Sequence, residues 1–240
     1  MGNRKLLCRM DGVVMYINSI YAGINGEVSL LGQGSLCTFI RLQGCNLSCK
    51  YCDTKKSQKL DKLKAEFYSP EQIYLYINDN IFPKNFTITG GEPLTQKTEL
   101  LSLVRMLKRY VGSVIVSVET NGSLMVNPSE YVDSWVVDWK APSSGMRDNM
   151  KLDNFAFLGK NDFIKFTIKD KYDFDDAVGV ISKTFRGEHS PKYAFSPQVS
   201  KHPDEDIPKK VLIDWMLRSR ICVDVKAILN LQIHKIIGVA

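Results

Sequence analysis

The sequence predicts an α/β protein built on a parallel sheet, with its chemistry gathered at the carboxyl ends of the strands. Short β-rich runs alternate with longer helical patterns through the middle of the chain, the order produced by right-handed βαβ crossovers. Several of those runs lead directly into unusual polar motifs, and the strand ends are where such sheets bind ligands. The 240 residues are 44% hydrophobic, which suits one compact domain over 1–240 with a large core.

Ser35 to Leu42 (SLCTFIRL) reads as a buried strand that runs into a cysteine-rich loop. Ser69-Pro70-Glu71-Gln72 opens a helix: Ser69 caps, Pro70 suits the first turn, and Gln72 completes a capping box. Asn85 to Thr89 (NFTIT) is a strand followed by Gly90-Gly91, and Thr98 to Tyr110 carries Leu100, Leu101, Leu103, Val104 and Leu107 at helical spacing. Strands are expected over Val114 to Thr120, Trp135 to Lys140, Phe163 to Ile168 and Lys192 to Ser196. Asp175 to Phe185 and Ile207 to Leu217 are expected to be helical, and Cys222 to Leu229 is expected to form a last strand. The polar motifs then share one rim: Cys45 to Thr54, Gly90-Gly91-Glu92-Pro93, Glu119-Thr120-Asn121-Gly122, Asp138-Trp139-Lys140 and Ser196-Pro197-Gln198.

Cys45, Cys49 and Cys52 are separated by three and then two residues. Three thiolates can hold three irons of a [4Fe–4S] cluster and leave the fourth iron open, whereas electron-transfer clusters normally use four cysteines. A structural zinc ion is the alternative, but it normally takes four protein ligands. Cys37 lies eight residues upstream, and His189, His202 and His234 are distant. Cys8, Cys37 and Cys222 sit in apolar surroundings and read as small hydrophobes. The clustering argues for metal in a reducing compartment rather than a disulfide scaffold. No apolar leader and no 18-residue apolar run is present, so the chain reads as cytoplasmic. The net charge of +6 is concentrated at Lys55, Lys56, Lys59, Lys62 and Lys64, which read as a solvated loop.

The cysteine spacing, ending in Tyr51-Cys52, resembles that of the radical S-adenosylmethionine (SAM) enzymes, as does Gly90-Gly91-Glu92-Pro93. Cys52-Asp53-Thr54 together with Asp138 to Gly145 (DWKAPSSG) looks like the 7-carboxy-7-deazaguanine synthase family. Ile24-Asn25-Gly26-Glu27, Phe39 to Leu47, Phe195-Ser196-Pro197 and Leu231 to Lys235 extend the likeness from about Ile17 to the C-terminus.

The resemblance implies a partial (β/α) barrel of the radical SAM type and contraction of 6-carboxy-5,6,7,8-tetrahydropterin with loss of ammonia. It implies a [4Fe–4S] cluster on Cys45, Cys49 and Cys52. SAM would lie along Tyr51, Cys52, Asp53, Gly91, Glu119, Asp138, Trp139, Lys140, Ser196 and Gln198. The pterin would meet Ile24, Asn25, Gly26, Glu27, Arg41 and Thr89, and Thr54 would hold Mg²⁺. A flavodoxin-like or ferredoxin-like electron donor and a homodimer are further implied, as is an approach of the Ala240 carboxylate to the substrate. This chain departs from the family pattern at Asn25, where Gln is usual, and at Val28, where Gly commonly follows the Glu. His234 reads as structural. Rival readings are a glycyl-radical activase and a zinc or iron–sulfur nucleic-acid module. Thr54 and Pro142-Ser143-Ser144-Gly145 speak against the first, and the lack of aromatics among the basic residues speaks against the second.

Overall fold

A computed structural model describes residues 14–61, 65–126, 129–199 and 206–239. Cys8, Lys62, Lys64, His202 and Ala240 lie outside them. Two strands, β1 (Met15–Ile24) and β2 (Leu36–Leu42), form an antiparallel pair, and the short β3 (Glu66–Tyr68) flanks β1 antiparallel. Helix α1 (Pro70–Asn78) starts at the expected capping box: Ser69 Oγ accepts from Gln72 N at 3.2 Å, and Gln72 Oε1 accepts from Ser69 N at 2.8 Å. The chain continues through β4 (Asn85–Gly90), α2 (Lys97–Met106), β5 (Ile115–Thr120), β6 (Ser134–Trp139) and β7 (Phe163–Ile168). Then come α3 (Lys171–Thr184), β8 (Lys192–Pro197), α4 (Lys209–Arg218), α5 (Arg220–Asp224), β9 (Ile228–Leu229) and α6 (Ile233–Ile237). The sheet order is β3-β1-β2-β4-β5-β6-β7-β8-β9, parallel from β2 onward.

Strand alternation gives the sheet two different faces. One carries Ile40, Phe86, Ile88, Val116, Val118, Val137, Ile164, Phe166 and Phe195. Against it pack Ile73 and Ile77 of α1, Leu100 and Leu103 of α2, Phe174 and Ile181 of α3, and Leu212 and Met216 of α4. This is the main core, and each fully buried Leu, Ile or Phe in it contributes roughly 1.5–3 kcal/mol. The opposite face holds a small apolar cluster of Val28, Val136, Phe163 and Ala194. Further along the same strands, toward their carboxyl ends, that face becomes polar.

Three features differ from the sequence reading. The strand pair β1 and β3 has no counterpart in the sequence reading, because β1 is mostly half-exposed and lacks a continuous apolar run. Cys222 to Leu229 is the last turn of helix α5, a three-residue turn and a two-residue strand. Its β-branched residues suggest a strand, but Cys222 packs into the main core from a helix. Lys226, at φ 53°, then ends that helix, with Ala227 N donating to Cys222 O at 2.9 Å. Helix α3 starts earlier than expected because Asp170 caps it, accepting from Asp173 N at 3.0 Å.

Candidate active site

The cysteine loop leaves β2 and is held by backbone hydrogen bonds, joined by Asn46, whose Nδ2 donates to Ser123 Oγ at 2.8 Å and whose Oδ1 accepts from Asn121 Nδ2 at 3.1 Å. Gly44 N donates to Ser57 O and Cys45 N to Gln58 O, both at 2.8 Å. Lys50 N donates to Ser144 O at 3.1 Å. From β4, Gly91 N donates to Leu42 O at 3.1 Å and Glu92 N to Gly44 O at 2.8 Å. A Cβ on Gly91 would overlap the carbonyl oxygens of both Gly44 and Ser57. As sequence, the paired glycines suggest close access for a ligand; in the structure the close neighbour is the cysteine loop itself. Glu92 is fully buried and joins two strand ends, accepting from Leu94 N at 2.9 Å, Thr120 Oγ1 at 2.8 Å and Asn121 N at 2.6 Å. Burial pushes its carboxyl up, and those bonds pull it back toward the ordinary range.

Cys49 is buried, while Cys45 and Cys52 are half-buried. Cys45 Sγ accepts from Leu47 N at 3.5 Å and from Asn121 Nδ2 at 3.7 Å, and Thr54 Oγ1 lies 3.9 Å from Cys52 Sγ. Among the described residues no three His, Cys, Asp or Glu side chains converge on one ion.

Beside this loop, strand register builds a charged wall on the polar face. Asp138 on β6 pairs in register with Lys165 on β7, and Arg41 on β2 with Thr89 on β4. Lys165 Nζ lies 3.2 Å from Asp138 Oδ2 and donates to Glu27; Lys140 Nζ is 2.9 Å from the same Asp138 oxygen. Thr89 Oγ1 donates to Glu119 Oε2 at 2.9 Å. Desolvation raises Asp138, but the two ammonium groups outweigh it and hold the carboxyl below its usual range. Burial pushes Glu119 up, only partly countered by Lys165. Arg41 reaches Tyr21 OH at 3.3 Å.

The end of β1 and the C-terminal segment close the opposite side. Asn25 is buried: its Nδ2 donates to Ser35 Oγ at 2.9 Å and its Oδ1 accepts from Thr87 Oγ1 at 2.7 Å. Both Asn25 backbone groups also bond within the chain, N to Ser35 O and O to Gly34 N. Gly26 O accepts from Ile233 N at 2.9 Å, and a Cβ on Gly26 would lie 1.8 Å from His234 Nδ1, overlapping that side chain. Glu27 Oε1 accepts from Gln232 Nε2 at 2.6 Å, and Lys235 Nζ donates to Asp53 Oδ2 at 2.8 Å. Burial pushes Asp53 up, yet Lys235, with help from Lys165 and Gln232, holds it at about 2.

Most of the expected site residues thus come together on one rim. Ile24 sits at the end of β1, paired with Leu36. Ser196 is buried, its hydroxyl accepting from Asn230 Nδ2 at 3.1 Å. Trp139 differs from its neighbours: its ring lies in the main core, edge-on to Phe155, so only its backbone borders the site. Buried polar atoms without a partner include Tyr51 OH, Asp138 Oδ1 and Gln198 Oε1. Unpaired buried groups of this kind are costly. These three belong to residues expected along SAM, whereas Trp139 Nε1 and Tyr193 OH, also unpartnered, belong to the main core; with the three thiols on the same rim the donor set fits a cluster-bound cosubstrate carrying amino, carboxylate and hydroxyl groups.

Sequence reasoning missed Lys165, Asn121 as a donor to sulfur, and the Gln232–Lys235 clasp. A lysine inside the otherwise apolar run FIKFTI is the one signal that could have flagged Lys165.

A three-cysteine loop on the strand-end rim of such a partial (β/α) barrel defines a radical SAM enzyme, one that uses a [4Fe–4S] cluster and SAM. A 4Fe-4S single cluster domain matches residues 30–136. The 7-carboxy-7-deazaguanine synthase of Clostridium acetobutylicum is 36% identical over 222 residues, covering 90% of this chain and 93% of that protein. That of Methanospirillum hungatei is 36% identical over 169 residues, covering 70% and 67%. The crystal structure of QueE from Escherichia coli shares the fold, with a TM-score of 0.66 at 20% identity over 91% of this chain and 93% of that one. The chain belongs to the 7-carboxy-7-deazaguanine synthase family. These relatives decide against the activase and the zinc-module readings. Among the described residues no helix is long and apolar enough to cross a membrane.

Proposed function

We propose that this chain converts 6-carboxy-5,6,7,8-tetrahydropterin to 7-carboxy-7-deazaguanine, contracting the ring and releasing ammonia on the route to queuosine and related deazapurines. The observation that supports this best is the charged wall of Arg41, Thr89, Glu119, Asp138 and Lys165, one strand end away from the cysteine loop. When bound, the reduced cluster and SAM supply a 5′-deoxyadenosyl radical that takes hydrogen from a saturated carbon. Cys45, Cys49 and Cys52 hold the cluster. Tyr51 OH, Asp138 Oδ1 and Gln198 Oε1 meet polar atoms of SAM, which relieves their unpaired burial. The Arg41 guanidinium faces the substrate carboxylate or a ring carbonyl. Glu27, set by Lys165 and Gln232, faces the pterin beside Thr89.

Thr54 would hold Mg²⁺ through its hydroxyl, and the metal would supply a positive charge suited to the substrate carboxylate. Asp53 Oδ1, 3.4 Å from Thr54 Oγ1, orients that hydroxyl. Residues 1–240 act as one domain, in the cytoplasm, as a homodimer supplied by an external electron donor.

Incubating the reconstituted, reduced protein with SAM, Mg²⁺ and the carboxytetrahydropterin should produce the deazaguanine chromophore. SAM cleavage without that product would reassign the substrate. Thr54→Ala should lower turnover at least about tenfold and remove the response to Mg²⁺; an unchanged metal dependence would place the ion elsewhere.

A further inference from the structure

The two ends of the cysteine loop are anchored by different partners. The Cys45 end is held by Gln58 O, by the Glu92 amide on Gly44 O and by the Asn46 side chain. Among the described residues, the Cys49–Cys52 end receives one main-chain hydrogen bond from outside the loop, Lys50 N donating to Ser144 O at 3.1 Å. Ser144 is buried in a 3-10 turn, Pro142–Ser144, that follows closely on Lys140. The turn is closed on itself: Ser144 N and Oγ both donate to Ala141 O, at 3.0 and 2.6 Å, and Met146 N donates to Ser144 Oγ at 2.9 Å. Its hydrogen bonds to a second element come from Asp173, in the first turn of α3. Asp173 is fully buried; its Oδ1 accepts from Ser143 N at 2.9 Å, and its Oδ2 accepts from Ser143 Oγ at 2.5 Å and from Lys169 N at 2.9 Å. Capping of α3 accounts for the bond to Lys169 N. It does not account for two bonds to Ser143, 30 residues away. A buried carboxylate is costly unless its bonds are made, and most of these go to the turn under Lys50. Burial raises the Tyr51 hydroxyl above its ordinary range, Lys140 opposes that, and Asp138, Cys49 and Asp173 add to it. Asp173 therefore also belongs to the charge environment of the tyrosine expected beside SAM.

We propose that Asp173 is a positioning residue for SAM binding: by gripping Ser143 it fixes the turn whose Ser144 carbonyl holds Lys50, and so sets Cys49, Tyr51 and Cys52. The inference rests on the reading that Cys49 and Cys52 hold the cluster and Tyr51 meets SAM. Asp173 acts through Ser143, Ser144 and Lys50 rather than by its own contact with either group. Outer partners of this kind orient the residues that touch a metal centre, and their loss weakens binding there without removing a ligand.

The test compares the reconstituted wild-type protein with Ser143→Ala, Asp173→Asn and Asp176→Asn. Ser143→Ala deletes one bond of the grip and leaves the cap on α3. Asp173→Asn keeps the shape, but an amide has one acceptor oxygen and its NH2 group opposes the N–H donor on the other side. Asp176 is the control. It lies on the same helix and accepts from Arg147 Nε at 2.8 Å through both oxygens, so its loss loosens α3 from the same stretch of chain without touching Ser143 or Ser144. Two quantities are read: hydrogen exchange at the Lys50 amide, by mass spectrometry, and the Kd for SAM, from the change that SAM makes in the paramagnetic resonance signal of the reduced cluster. In Asp173→Asn the Lys50 amide should exchange at least about tenfold faster, and the Kd for SAM should rise about tenfold. Ser143→Ala should move both in the same direction by a smaller factor, and Asp176→Asn should leave both at the wild-type value. Wild-type exchange and affinity in Asp173→Asn would overturn the proposal and reduce Asp173 to a helix cap. Equal losses in Asp176→Asn would also overturn it, since any loosening of α3 would then suffice. If Asp173→Asn does not fold, Ser143→Ala decides, and unchanged values there count against the proposal. A wild type that takes up no [4Fe–4S] cluster would sink the cysteine reading, and the proposal with it; a wild type that loads the cluster and binds SAM, beside variants that do so equally well, would sink only the role of Asp173.

Discussion

The cysteine loop and the charged wall face each other across the same rim, and they are held by different means. The loop is positioned chiefly by main chain: carbonyls of Gly44, Ser57 and Gln58 and amides of Gly91 and Glu92, with a glycine where the segments touch and Asn46 adding side-chain bonds to Ser123 and Asn121. The wall is positioned by side chains, with Glu27, Asp138, Lys140 and Lys165 joined through their own charges. Main-chain packing of this kind tolerates most changes in side-chain chemistry but no added volume at the contact. A buried charge cluster tolerates modest changes of shape but no loss of charge balance. Mutations should therefore fail in different ways on the two sides.

The largest effect is expected where volume is added to the loop contact. Gly91→Ala would drive a methyl group into two carbonyl oxygens, so β4 and the cysteine loop have to separate. We expect cluster content after reconstitution to drop to near background and stability to fall by about 3 kcal/mol or more. Iron analysis and thermal unfolding check both, and a variant that loads a full cluster would show the contact to be pliable. Next comes the wall. Lys165→Met removes the cation shared by Glu27 and Asp138, which are largely buried, and should cost about 2–3 kcal/mol. Adding Glu27→Gln to Lys165→Met should recover part of that loss, since the uncompensated charge is then gone. If the double variant were no more stable than the single one, the cost would lie in packing rather than charge.

What could be read in the chain follows the same division. The cysteine spacing, the capping box at Ser69 and the apolar run Phe163–Ile168 are local patterns, and each is found where the sequence puts it. The wall is not local. Lys165 meets Asp138 only because β6 and β7 adopt one register, and it meets Glu27, 138 residues away, only because β1 returns to the same rim. Trp139 shows the limit from the other side. It adjoins two wall residues in sequence, yet strand alternation turns its ring into the core. Asn25 similarly stands in a binding motif while its side chain is taken up by Ser35 and Thr87.

A smaller effect separates the wall from its surroundings by pH. Burial raises the Glu119 carboxyl above its unfolded value, so the folded protein binds more protons than the unfolded one between the two. The Glu119 contribution to the stability of the unliganded protein should therefore decline as pH rises from about 4 toward that raised value. Glu119→Gln, which cannot ionise, should remove that contribution, so its stability gains on the wild type as pH rises, as measured by denaturant midpoints across that window. A variant that instead loses stability relative to the wild type as pH rises would mean that Lys165 already holds Glu119 charged in the folded state.

The smallest effect belongs far from either wall. Ser69→Ala removes one half of the capping box on α1, whose Ile73 and Ile77 pack on the main core rather than on the rim. The lost cap should cost about 1 kcal/mol. Because α1 touches neither the cysteine loop nor the charged wall through a side chain named above, cluster content and SAM cleavage should equal those of the wild type at temperatures where both are folded. A change in cluster content would mean that the outer helices set the loop geometry, and the two-sided description of the rim would have to give way to one in which the whole barrel positions the cysteines.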